Sequence, residues 1–162
     1  APTAKPAEGT ETGKAPTSTF KVIESFPHDK DAFTQGFLVE NGVFFESTGI
    51  KGQSSLRRVD IQTGTVKVKR DLPDEYFAEG LAAVGNKLYQ LTWQSHLGFI
   101  YKKGDLEPLG NWTYEGEGWG LTPDEDDEVL YMSDGSSYIR VLDPHTLEEI
   151  KDRIAVKDDG KE

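Results

Sequence analysis

The residues able to do chemistry recur in short clusters. Ala32-Phe33-Thr34-Gln35-Gly36, Tyr76-Phe77-Ala78-Glu79-Gly80 and Glu117-Gly118-Trp119-Gly120 each run into an apolar stretch. Aligned on their last glycine, they put Gln35, Glu79 and Trp119 at one equivalent position. Phe33 and Phe77 stand two residues before the first two. Repeats arranged around a common axis would gather these side chains into a pocket with aromatic walls, one amide and one carboxylate. A carboxylate among rings is a costly placement unless the protein uses it. Such a setting favours the neutral acid and draws its proton affinity toward neutrality, which suits a group that both accepts and donates a proton. Glu79 is therefore the candidate proton-transfer residue. It stands in the stretch DEYFAEGLAAVGNKLYQLTW, which ends at Trp93. Taken singly, each residue has a plainer role: the rings could pack between sheets, and Glu79 could bond a neighbouring backbone. The set is the stronger observation.

The other chemistry-bearing residues exclude more than they suggest. His28, His96 and His145 lack metal-ligand spacing and read as surface or turn residues. The acidic run Asp124-Glu125-Asp126-Asp127-Glu128 lacks the alternating ligands and glycine of a calcium loop and reads as a solvated hairpin turn. Ser54-Ser55 and Ser136-Ser137 sit in no nucleophile elbow. The chain has no cysteine, so disulfides, thiol nucleophiles and thiolate metal sites are excluded. A net charge of −11 speaks against nucleic acid and anionic membranes as partners. No apolar run approaches the roughly 20 residues that span a bilayer, so no membrane insertion is expected.

Stepping along the chain, short alternating stretches dominate. TQGFLVE and VFFESTG flank Asn41-Gly42, a strong hairpin signal; SLRRVDI and TVKVKRDL follow. The same order returns after Gly80 and again after Gly120. Gly36, Gly80 and Gly120 are spaced by 44 and 40 residues. A repeat of this length with four strands per unit predicts an all-β fold, a β-propeller. The blades span about residues 32–73, 76–114 and 117–157, and LEEIKDRIAV supplies the last strand. Residues 20–26 read as a lone strand that closes a blade. Residues 1–19, rich in Ala, Pro, Thr and Gly, read as a disordered leader. Such a leader suits a periplasmic or secreted protein whose signal has been removed. Three blades alone leave long unpaired edges, an aggregation hazard. A further segment or a second chain is therefore expected to carry the remaining blades, with residues 158–162 a candidate nick site.

Several longer motifs carry a family resemblance. FPHDKDAFTQG, FESTGIKGQSSLRRV, YFAEGL, LYQLTW followed by GFIY, GWGL and SDGSSYIRVLDPHT occur in order from about Phe20 to Val156. They resemble the plant-type glutamine cyclotransferases, also found in bacteria. The resemblance implies a five-bladed propeller, of which this chain holds three blades. It implies a glutaminyl-peptide cyclotransferase, an acyltransferase that converts the N-terminal glutamine of peptides or proteins to pyroglutamate with release of ammonia. It places Glu79 at the position of the family's essential glutamate, and Phe33, Gln35, Phe77, Trp93 and Trp119 in the substrate pocket. No cofactor is required; a structural metal ion in the propeller channel is compatible with the resemblance, with no ligand assigned. The asparagine, tryptophan and lysine of the family's later blades do not occur here in their motifs. A non-catalytic peptide- or protein-binding propeller is the competing reading. A glycosidase would usually need a second facing carboxylate, and only Glu79 occupies such a place in the three repeats.

Overall fold

The computed structural model describes residues 17–157. Most of the expected leader, and the candidate nick site at 158–162, lie outside the described residues. Twelve strands form three four-stranded antiparallel sheets, each built from consecutive strands. The first holds β1 (Thr34–Glu40), β2 (Val43–Thr48), β3 (Ser55–Asp60) and β4 (Val66–Asp71). The second holds β5 (Ala78–Val84), β6 (Lys87–Thr92), β7 (Leu97–Lys102) and β8 (Pro108–Thr113). The third holds β9 (Leu121–Pro123), β10 (Leu130–Ser133), β11 (Tyr138–Leu142) and β12 (Ile154–Ala155). These are successive blades of a β-propeller.

The turns repeat as the strands do. Asn41 and Gly42 both take positive φ, 50° and 74°, which matches the twist of a tight hairpin. Between the third and fourth strands, one turn recurs in all three blades. The amides of Gly64, Leu106 and Leu147 donate to the carbonyls of Asp60, Lys102 and Asp143, with φ of 67°, 59° and 62°. A leucine adopts this left-handed conformation reluctantly. Leu106 is fully buried between the first two blades, and that burial offsets the strain.

Packing is face to face. Phe45, Leu56, Leu81, Leu88, Tyr101 and Leu106 fill the space between blades one and two. Between blades two and three lies a larger cluster that includes Tyr89, Leu91, Trp112, Leu130 and Met132. The inner strands β1, β5 and β9 lie side by side at the hub. The spaced glycines explain how they come so close. A Cβ on Gly36 would stand 2.7 Å from the Leu81 amide nitrogen, and one on Gly80 would stand 2.5 Å from the Trp119 carbonyl oxygen. Backbone meets backbone there, so any side chain would force the hub apart.

Two expected strands differ from what is observed. Residues 20–26 form no ladder; Phe20, Val22 and Ile23 are exposed. Each described sheet already contains four strands, so this segment has no sheet to complete among the described residues. LEEIKDRIAV keeps only Ile154–Ala155 as a strand, paired with Tyr138 and Ile139, plus an isolated Leu142–Glu149 bridge. Glu149 instead engages Arg140 at 2.5 Å and Arg153 at 2.8 Å, and these ion pairs occupy the chain between. On the opposite flank, Phe37 and Val39 of β1 are 66% and 56% exposed, an apolar blade face with no sheet on it among the described residues.

Candidate active site

The two polar residues of the site stand at β-bulges. Along β1, Thr34 pairs with Thr48 but Gly36 already pairs with Ser47, so one extra residue is accommodated at Gln35. Along β5, Ala78 pairs with Thr92 and Leu81 with Gln90, so one extra residue is again accommodated, at Glu79-Gly80. A bulge interrupts the alternation of faces and re-aims a side chain. Here it turns Gln35 and Glu79 toward each other, and Gln35 Nε2 donates to Glu79 Oε1 at 3.3 Å. Backbone bonds anchor the residues around them. The carbonyl of Phe33 accepts from Gly49 at 2.8 Å, that of Phe77 from Trp93 at 2.9 Å, and that of Trp119 from Gly80 at 2.8 Å.

The rings form a chain. Phe33 meets Phe77 edge-on at 6.2 Å, and Phe77 meets Trp93 at 5.8 Å and 67°. Gly49 makes the close approach tolerable: a Cβ there would stand 2.5 Å from the Phe77 ring and 3.0 Å from Gln35 Cγ. Phe33, Trp93 and Trp119 are 52%, 36% and 48% exposed, and neither interblade cluster includes them or Phe77. They therefore stand outside the interblade cores and pack against one another at the edge of the blades. The half-buried Glu79 carboxyl is pushed up to about 7, first by burial and then by the negative charge of Glu117.

Glu117 is the residue whose part the sequence left unassigned. Its Oε2 accepts from Trp93 Nε1 at 2.6 Å and from Trp119 Nε1 at 2.8 Å; its Oε1 accepts from Gln94 Nε2 at 2.9 Å. Those donors, Gln94 first, hold its carboxyl below the usual range. A signal was present: Glu117 stands two residues before Trp119, the place that Phe33 and Phe77 take in the other repeats. These contacts join Phe33, Phe77, Trp93 and Trp119 through Glu117, whose charge in turn acts on the Gln35–Glu79 pair.

The remaining candidates have structural partners. His28 Nε2 lies 2.7 Å from Oε1 of the buried Glu46, so this histidine is not a free surface group. His96 Nδ1 lies 2.6 Å from the Gly116 carbonyl oxygen, and the amide of His145 donates to Asp143 within its turn. In the acidic hairpin, Asp124 Oδ1 accepts the amides of Glu128 and Val129, as a turn requires. Among the described residues, no group of three or more His, Asp or Glu side chains is placed to hold a metal ion. A cleft of about 360 Å³ beside Asp29, Arg57 and Lys69 ends at Phe33 and Gly49 without reaching Glu79.

The family described as glutamine cyclotransferase matches residues 1–162. A glutaminyl-peptide cyclotransferase of Arabidopsis thaliana is 40% identical over 144 residues, which cover 88% of this chain and 44% of the relative. The crystal structure of Myxococcus xanthus glutaminyl cyclase superposes with a TM-score of 0.77 at 34% identity, covering 87% of this chain and 58% of that one. Kuenenia stuttgartiensis hydrazine synthase shares the fold alone, with a TM-score of 0.62 at 17% identity over 86% of this chain and 40% of that one. The chain thus spans about half the length of the first relatives it matches.

Proposed function

Because this chain belongs to the glutamine cyclotransferase family, we propose that it forms the catalytic part of a glutaminyl-peptide cyclotransferase, with Glu79 as the proton-transfer residue. The observation that carries this reading is the half-buried Glu79 carboxyl at about 7, within reach of Gln35 and beside exposed rings. The substrate is a peptide or protein with an N-terminal glutamine. Its α-nitrogen attacks the carbonyl carbon of its own side-chain amide, so both reacting groups sit on one residue and much of the proximity advantage is built in. What remains for the protein is to hold the bent conformer and to move protons. A free α-amine has a proton affinity near roughly 7.7–8.0, close to that of Glu79. Glu79 takes the proton that the α-nitrogen gives up as the new C–N bond forms. It returns that proton to the side-chain nitrogen as the old C–N bond breaks, and ammonia departs. Its matched affinity serves both steps. Gln35 orients the carboxyl through its amide. Phe33, Phe77, Trp93 and Trp119 enclose the methylenes and the flat amide of the substrate. This chemistry needs no cofactor. Further blades, on another segment or a second chain, complete the ring, and the protein works in the periplasm or outside the cell.

The test uses the full protein and a Gln-initiated peptide, with ammonia release followed directly. Wild type cyclises the peptide. Glu79→Gln, still folded by circular dichroism, loses about 10²–10⁴ in kcat. A peptide that binds but stays intact, or a Glu79→Gln variant with unchanged turnover, overturns the reading.

A further inference from the structure

An indole nitrogen only donates, so two indoles that wall one pocket need a shared acceptor between their N–H edges. The Oε2 atom of Glu117 is that acceptor for Trp93 and Trp119, while its Oε1 takes Gln94. The two indoles come from different blades. Trp93 follows β6 in the second, and Trp119 precedes β9 in the third. A backbone bond runs in parallel, from the Gly118 amide to the Trp93 carbonyl at 2.9 Å. Both rings are exposed by a third or more, so burial alone does not fix them; charge-assisted hydrogen bonds fix their N–H edges. The repeat adds a second observation. Where the first two blades carry Phe33 and Phe77, the third carries a carboxylate, and the fold has no use for an acid at an exposed place that a ring could fill.

We propose that Glu117 is a positioning residue of the site: its carboxylate clamps the indoles of Trp93 and Trp119 into one wall and keeps a negative charge beside the proton-transfer carboxyl. The role in turnover rests on the cyclotransferase reading; the clamp itself does not. The charged and titratable groups around the pair are few. Glu79 faces the neutral Gln35 amide from β1, Glu117 from the approach to β9, and more remotely the buried Tyr114 phenol, whose hydroxyl donates to the Thr92 carbonyl. Glu117 faces Gln94, the two indoles and the His96 imidazole. Glu117 is thus the anion that opposes ionisation of Glu79.

Two variants separate the clamp from the charge. Glu117→Gln keeps an oxygen that accepts indole N–H groups but carries no charge; Glu117→Ala loses both. In the full protein with a Gln-initiated peptide, Glu117→Gln should hold KM within about threefold and move the acid limb of kcat/KM to lower pH by several tenths of a unit or more. Glu117→Ala should raise KM by about tenfold or more, the size expected for lost bonds to a charged group. Acrylamide should also quench its tryptophan fluorescence more strongly than in wild type or Glu117→Gln, because Trp93 and Trp119 come free while Trp112 stays buried. Wild-type quenching in Glu117→Ala, or an acid limb that stays in place in Glu117→Gln, overturns the proposal. If no form of the protein cyclises the peptide, the cyclotransferase reading fails, and the quenching comparison still decides whether Glu117 is a clamp.

Discussion

Replacing Glu79 with glutamine should make the protein more stable, and only at neutral to alkaline pH. The Glu79 carboxyl sits at about 7 in the fold against an ordinary 4.5. In the unfolded chain it ionises near 4.5, whereas the fold prefers it protonated. The wild-type protein therefore keeps its full stability below about pH 4.5 and loses part of it as the pH rises through 7, where the folded state must also ionise. Each tenfold difference in proton affinity is about 1.4 kcal/mol, so the upper bound is ~3.4 kcal/mol. The carboxyl is only partly buried, so water screens the charge and leaves about 1–2 kcal/mol. Glutamine has the same shape and never ionises. Urea unfolding of wild type and Glu79→Gln at pH 5 and pH 8 should show a gain of that size at pH 8 that shrinks toward pH 5. Removing any acid from a chain of net charge −11 relieves some general repulsion. Glu75→Gln, at an exposed position, is the control for that contribution. A Glu79→Gln gain equal to that of Glu75→Gln at both pH values, or a loss at pH 8, refutes the claim that the site opposes ionisation of this carboxyl.

Three further outcomes are expected. The profile of kcat/KM against pH should rise through two ionisations, that of Glu79 at about 7 and that of the substrate amine at roughly 7.7–8.0, because attack needs an ionised carboxyl and a neutral amine; steady-state rates from pH 5 to 9 check this, and a rise centred near 4.5 contradicts it. Gly80→Ala places a Cβ 2.5 Å from the Trp119 carbonyl oxygen, so thermal or urea unfolding should show a loss of about 1–3 kcal/mol, with Glu79 displaced and turnover falling alongside. Glu46 is fully buried and its Oε1 meets His28 at 2.7 Å and Thr34 at 2.5 Å, with Arg57 3.9 Å from its Oε2. Glu46→Ala removes the acceptor of His28 and Thr34, while Arg57 keeps Asp29 and Ser55, and should lower the unfolding free energy by about 1–3 kcal/mol, read from the urea midpoint; no loss would show that the network adds little.

The repeat was legible in the chain because its causes are local. Asn41-Gly42 forces a hairpin, alternating side chains define strands such as Val43–Thr48, and Gly36, Gly80 and Gly120 recur where hub backbones touch. The equivalence of Gln35 and Glu79 followed from the same repeat. Other features were hidden because their causes are distant. The pairing of His28 with the buried Glu46 joins residues 18 apart in sequence. The turns at Leu106 and Leu147 put leucines at positive φ, where no glycine marks the position. The strand expected at 20–26 read well as a pattern, yet no strand of the blade it would close lies among the described residues.

By itself, the order of residues determined three four-stranded units and the alignment of one amide, one carboxyl and one indole at their starts. Tertiary structure alone decided that bulges swing Gln35 and Glu79 to within 3.3 Å of each other, and that Glu117 bridges two indoles from separate blades. The division has a physical cause. Periodicity and turn chemistry act between near neighbours and leave their mark in the sequence. The proton affinity of Glu79 depends on burial and on the field of a residue 38 positions away, and both exist only once the blades have packed.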